Sequence, residues 1–486
     1  MRLLKLGLPF VVALAIALSA LAVPASAATS ASVPTWTQGQ SVGYGTNYDL
    51  GSLAGTYLDM VKSNPTAYGF QSIQELNVTG SLDSWQVDTV SQVTSSYYTL
   101  ASQAAEGMKL HVAANVTVAG LPQAGTYTGT MYGTLCTPPT VPTTSGTVAA
   151  TLDATILATS SGTSLLQVSD LAYHSVVDNS TFQADIAFSG YHLPAETTNT
   201  TTCTVTVAYE SPTFSMTANI QHQVRMLFSP AWDYFNFPIS DNKTWWANTT
   251  ATVGATLSGT VNVQGLSSAD EQAFFGNLTL ALHNAGLTAT GLSSFPIDLS
   301  KVSILVGPSY LVNQGVVTDY PVPLDANFRA IASAESLSDN TIHSTYLITD
   351  ASYQCPAYSS SPSLLPFGYG AVYAPDFPAA GAGMVVGYQL VVCTGTANFP
   401  VVELKNTSPA TAQQKIGQTE TTYQVVPTKS NALADFFTQP PYLGPILIVA
   451  VMVVVGALLV MRRRHRPVMA PPGAQPPATP PPPGNP

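Results

Sequence analysis

The sequence has 486 residues, and its 26 acidic and 15 basic side chains make up only 8% of it, far below the ~25% usual for a globular protein. An apolar share of 45% with so little charge excludes a long disordered chain, which needs low hydrophobicity and high charge. A formal net charge of −11, with no basic stripe outside the C-terminal tail, argues against nucleic acid as a partner.

In chain order, residues 1–27 read as a secretory signal. Arg2 and Lys5 form the charged start, Phe10 to Val23 the apolar stretch, and Ala25-Ser26-Ala27 the small-residue cleavage site. From Ala28 onward the dominant signal is alternation of apolar and polar residues, the pattern of a strand with one buried face. Met108, Leu110, Val112, Ala114, Val116 and Val118 point one way, and Lys109, His111, Asn115 and Thr117 the other. Similar runs cover 148–158, 182–188, 203–209, 214–228, 251–263 and 384–393. Two helices interrupt them. One spans 52–62 with Leu53, Tyr57, Leu58 and Val61 inward; the other starts at Ser268 with Glu271 completing a capping box and ends at Gly286. Tyr442 to Met461 is an uncharged, apolar stretch of 20 residues, long enough to cross ~30 Å of hydrocarbon. The cluster Arg462, Arg463, Arg464, His465 and Arg466 stops it and orients it with that end in the cytoplasm. Ten prolines within residues 467–486 then give an extended, unpacked tail.

The expected fold is therefore mostly β: curved antiparallel sheets in two ectodomain halves, few short helices and one C-terminal transmembrane helix. The expected domains are 1–27 signal, 28–230 and 231–435 as two extracellular β domains, 442–461 as the span and 462–486 as the basic, Pro-rich tail. The boundary near 230 follows from the size of a comfortable single core. Pro34-Thr35-Trp36 and Phe237-Pro238-Ile239 with Trp245 open the two halves alike, which is compatible with duplication.

Splitting charge by compartment leaves nine basic side chains against all 26 acidic ones in residues 28–441, while hydroxyls, 45 Ser and 57 Thr over the whole chain, supply most of the polarity. In a medium more acidic than ~4 most of those carboxyls would be neutral, so the composition points to an acidic exterior, with greater stability expected at pH 3 than at pH 7. The cysteines Cys136, Cys203, Cys355 and Cys393 all lie in the exported part without metal or redox spacing, so disulfides are expected. Of three connectivities, Cys136–Cys203 with Cys355–Cys393 closes each bridge within one half; four free buried thiols is the alternative. Asparagines 77, 115, 179, 199, 242, 248, 277 and 406 head N-x-Ser/Thr sequons, all outside the tail, as glycosylation of a surface protein requires. These candidates are Asn77, Asn115, Asn179, Asn199, Asn242, Asn248, Asn277 and Asn406.

Phe237-Pro238-Ile239 with Trp245, and Tyr373-Ala374-Pro375 followed by Met384-Val385-Val386 and Glu403-Leu404, resemble a pattern in poorly characterised prokaryotic, chiefly archaeal, cell-envelope proteins. There an FPL-x-x-G-x-x-W strand pair precedes a second strand pair on a curved antiparallel sheet, similar to the half-barrels of periplasmic lipoprotein carriers. The resemblance implies a concave apolar side able to hold acyl chains. Ser240-Asp241-Asn242 stands where the pattern has glycine, and no functional residue is carried over.

Motifs for zinc peptidases, dinucleotides, P-loops and nucleophile elbows are missing. Ser161-Gly162-Thr163-Ser164 matches a serine-carboxyl peptidase nucleophile motif but reads as a turn between strands, and Asp319, Asp350 and Asp376 lack the context of an aspartic dyad. Asp270-Glu271 and Asp339-Asn340 read as solvated surface rather than a calcium shell. His222 is the odd polar residue on an apolar face, expected as a core histidine. Trp232, Trp245 and Trp246 cluster, and interdomain packing is the expected role, with a platform for sugar or lipid as the alternative. No cofactor, catalytic or metal residue is expected. The reading is a non-catalytic, glycosylated, single-pass surface protein whose partners are the membrane and lipid, glycan or other envelope proteins. A lipid-binding half-barrel and a membrane-tethered acid hydrolase are the alternatives.

Overall fold

The computed structural model describes residues 30–425, apart from 351–366 and the short gaps 134, 200, 267, 285–286, 307–308 and 395–396. The signal segment, Tyr442–Met461, the tail and Cys355 lie outside the described residues. Among the described residues no helix is long and apolar enough to cross a membrane.

The fold is built on a ring of antiparallel strands. In chain order they are β1 (Ser41–Asp49), β2 (Phe70–Val93), β3 (Tyr97–Pro122), β4 (Thr143–Gln167), β5 (Tyr173–Tyr191), β6 (Thr213–Trp232), β7 (Thr244–Gln264), β8 (Val316–Ser336), β9 (Ile342–Asp350), β10 (Phe367–Ala374), β11 (Met384–Thr394) and β12 (Ala397–Thr407). Each pairs with its neighbour in sequence, and β1 pairs with β12 through Gly43–Thr407 and Gly45–Lys405. An up-and-down sheet that closes in this way has no free edge along the closed section. The two-residue strand Ile297–Asp298 lies beside β7 at Thr260 and Val261, above the level where β8 departs.

The expected β-rich, antiparallel fold is present, but the two halves do not make separate sheets. Ser215 to Ser229 on β6 pairs in unbroken register with Gln264 to Thr250 on β7, so the sheet runs straight through the expected boundary at 230. The two openings instead meet each other: Ala31 and Ile239 exchange backbone hydrogen bonds of 2.7 and 2.9 Å beneath the ring.

One end of the ring, here the floor, collects the turns at 94–96, 168–172, 233–243 and 375–383. It is filled by Val42, Tyr44, Val90, Tyr98, Leu166, Phe235, Trp245, Tyr346, Ile348, Tyr373 and Met384. Burial of this many large side chains, at about 25 cal/mol per Å² of apolar surface, is the main stabilising term. At the other end, the rim, β2 to β7 continue past the ring with apolar inward rows such as Leu82, Met108, Ile156, Ala184, Ala218 and Val261, which face one another in register and are all buried.

Among the described residues, three α-helices decorate the ring. Helix α1 (Leu50–Ser63) is capped by Asp49, whose carboxylate accepts from Ser52 N, and it buries Leu50, Leu58 and Val61. Helix α2 (Ser268–Asn284) lies where the capping signal predicts, although Glu271 accepts from Phe295 N. Helix α3 (Pro409–Thr422) begins at the Ser408 cap and packs Ala412 and Ile416 outside the ring on Val87, Ala105 and Trp85. At the rim, Cys136 and Cys203 form a disulfide joining the β3–β4 and β5–β6 connections.

Candidate functional site

Inward residues above the floor form a polar belt. Opposed pairs run Tyr44–Gln86–Ala104–Ser160–Ser180–His222 around six strands, with the rows Asp88–Ser102 and Ser84–Glu106 on either side. Asp88 is 4% exposed and Glu106 8%. Asp88 accepts from Tyr44 Oη at 2.6 Å and Gln86 Nε2 at 2.9 Å, and also from Ser102. Burial raises its pKa and these bonds oppose the rise. Glu106 accepts from Ser84 Oγ at 2.8 Å, and burial pushes it up to about 7. Burial, with the nearby Asp88 carboxylate, also holds the Tyr44 and Tyr388 hydroxyls well above the usual phenol range. His222 Nε2 stands 3.7 Å from Asp178 Oδ2, to which Ser180 Oγ donates.

On the outer side, a polar trough of about 700 Å³ crosses β3 to β7 and ends against α3. Gln103, Ser161, Asn179, Gln223 and Thr256 line one bank; Thr159, Thr181, Gln221 and Ser258 line the other; Gln413 and Glu420 close the α3 end. The banks are successive outward rows of the same registers, because side chains two apart on a strand share a face. Gln223 Nε2 donates to Asn179 Oδ1 at 2.8 Å, and Thr159 and Thr181 share a 2.6 Å hydrogen bond.

The aromatic residues do not form one platform. Trp245 is core, with Nε1 donating to Asp233 O at 3.2 Å; Trp232 meets Phe328 edge to face; Trp246 alternates to the outer face and is 66% exposed. Ser161 to Ser164 lie within β4 near its end, paired with Gln103 to Leu100, and not in a turn. Asp339 is in a turn where it accepts from Thr341 and His343. Of the sequon residues, Asn179, Asn242, Asn248 and Asn277 are exposed, Asn77 and Asn115 face outward, and Asn199 caps the turn at Thr201 and Thr202. Asn406 differs: its amide donates to Gly43 O and accepts from Ser338 N where β12 meets β1. Cys136–Cys203 matches the favoured bridge; its partner bridge involves Cys355, outside the described residues.

No family model matches the chain, and neither a curated protein nor a solved structure is found that matches it. The belt was hidden in the sequence because inward Ser84, Gln86, Asp88, Ser102 and Glu106 look like outward polar residues. α3 was hidden because only Ala412, Ile416 and Thr419 of its surface are buried.

Proposed function

We propose that this chain is a non-catalytic, membrane-anchored surface protein of a cell envelope that faces an acidic medium. The observation that carries the reading is the placement of ionisable groups: Asp88 and Glu106 are enclosed where their neutral forms are favoured, while the exterior relies on hydroxyls and amides. Carboxyls arranged in this way stabilise a fold in acid, where a cytoplasmic protein would instead gain by keeping them solvated. The Cys136–Cys203 disulfide supports export, since such bridges persist in oxidising compartments. In this reading Tyr442–Met461 is the anchor and the ring stands outside.

Two features support a non-catalytic role. Asp88 and Glu106 lie two rows apart on neighbouring strands, about 13 Å along the strand direction, too far to share one proton as an aspartic-type dyad does. The belt also lies within a packed ring, next to the filled floor. The lipid-carrier alternative has one observation in its favour, the apolar inward rows above the ring. Those rows are already buried by the chain itself, so a lipid would have to part them. Lipid extraction and mass spectrometry of the protein purified from its membrane decides between the two. The envelope reading expects no stoichiometric acyl lipid; one per chain would replace it with the carrier reading.

A further inference from the structure

Asn179 occupies the centre of the outer trough. β5 is the middle of the five strands that the trough crosses, and the Asn179-Ser180-Thr181 sequon places an exposed side chain on its bank. The surroundings are chemically selective. Four glutamines, Gln103, Gln221, Gln223 and Gln413, each offer both a donor and an acceptor, and hydroxyls fill the spaces between them. No Lys or Arg lines the trough among the described residues, and Glu420 is the only acidic one. That lining suits a ligand rich in hydroxyls and free of negative charge. A volume of about 700 Å³ is in the range of binding clefts, ~300–1,000 Å³.

We propose that Asn179 carries a neutral N-linked glycan that lies along the trough, held between the glutamine and hydroxyl banks and α3. The inference rests on the reading of the chain as an exported surface protein. The bond formed joins Asn179 Nδ2 to the anomeric carbon of a glycosyl phosphate donor. The carbon–oxygen bond to phosphate breaks, the phosphate leaves with its electron pair, and Nδ2 gives up one proton. The Asn179 carbonyl oxygen keeps its bond from Gln223 throughout. A seated glycan of this kind bridges the outer face of the sheet to α3.

The test uses the full chain purified from its own membrane. Peptide mass spectrometry reads which sequons are modified. Mild periodate oxidation of the folded protein, which cleaves exposed sugar diols whatever their identity, then compares Asn179 with Asn248, an exposed sequon on the outer face of β7 away from the trough lining. The expected result is a neutral glycan on Asn179 that is oxidised several-fold more slowly than that on Asn248. Unfolding before oxidation should abolish the difference, and so should Gln103→Ala with Gln413→Ala in the folded protein. An unmodified Asn179 beside a modified Asn242 or Asn248 overturns the inference and leaves the surface reading intact, as does equal oxidation at Asn179 and Asn248. If no sequon is modified, the glycosylated-surface reading falls together with the inference.

Discussion

Tyr44 on β1 donates a 2.6 Å hydrogen bond to Asp88 on β2, and both side chains are enclosed by the ring. Gln86 and Ser102 supply further donors, so Asp88 is an acceptor surrounded by donors. Tyr44→Phe keeps the ring volume and removes one of them. A loss of about 1–2 kcal/mol in chemical denaturation is expected, the usual cost of leaving a buried acceptor short of a partner. Asp88→Asn should cost at least as much, because its NH2 group would replace one accepting oxygen among these donors and can accept from none of them.

Gly107 on β3 is where α3 docks. A Cβ there would lie 2.1 Å from the Tyr423 ring, and Tyr423 in turn bonds Ser81 and Asp83 through its hydroxyl. Gly107→Ala must push that ring away, and a loss of about 1–3 kcal/mol is expected from the overpacking. Limited proteolysis should show faster cleavage between 408 and 425 in the variant than in the parent chain. An unchanged cleavage pattern would mean that Tyr423 does not hold the helix.

The disulfide spans a sequence separation of 67 residues and joins two rim connections. Removing it with Cys136→Ser and Cys203→Ser should lower the unfolding free energy by about 2–4 kcal/mol, since the unfolded chain regains loop freedom. Thermal unfolding of the double variant against the oxidised parent measures this. The rim sheet of Gly125–Thr128, Thr204–Glu210 and Leu193–Asn199 should lose protection from exchange before the ring does.

Acid sets the lower limit of stability through the outward carboxylates. Asp339 is held at about 2 by a backbone hydrogen bond from Thr341 and by His343. A carboxyl lowered in the fold contributes stability above its unfolded pKa, and that contribution is lost as pH falls through about 2. Asp49 and Asp298 are lowered in the same sense by the Ser52 amide and by Lys301. The melting temperature should therefore turn downward near pH 2, and Asp339→Asn should remove part of that turn.

Much of the ring was legible because alternation is a local signal. The runs at 148–158, 214–228 and 251–263 fall inside β4, β6 and β7, and helices stand at both positions read as helical. Closure was not legible. It depends on Gly43 to Gly45 meeting Lys405 to Thr407, partners separated by most of the chain and marked by no local pattern. Size suggested a boundary at 230, whereas hydrogen bonding between β6 and β7 makes both halves parts of one sheet. Trp232, Trp245 and Trp246 looked like one cluster because they are close in sequence. The two-residue period of β7 sends Trp245 inward and Trp246 outward.

The most direct measurement is the unfolding free energy of the parent chain and Glu106→Gln from pH 3.5 to 8. Burial pushes the Glu106 carboxyl up from its ordinary value of about 4.5 to about 7. Its stabilising contribution is therefore complete below about 4.5 and is lost as pH rises to 7, a change on the order of 3 kcal/mol. The parent should be more stable at pH 4 than at pH 7.5, with Asp88 adding in the same direction. Glu106→Gln, which keeps an acceptor for Ser84 but cannot ionise, should flatten that slope and be the more stable of the two at pH 7.5. A parent chain as stable or more stable at pH 7.5 than at pH 4 would contradict the acid-exterior account.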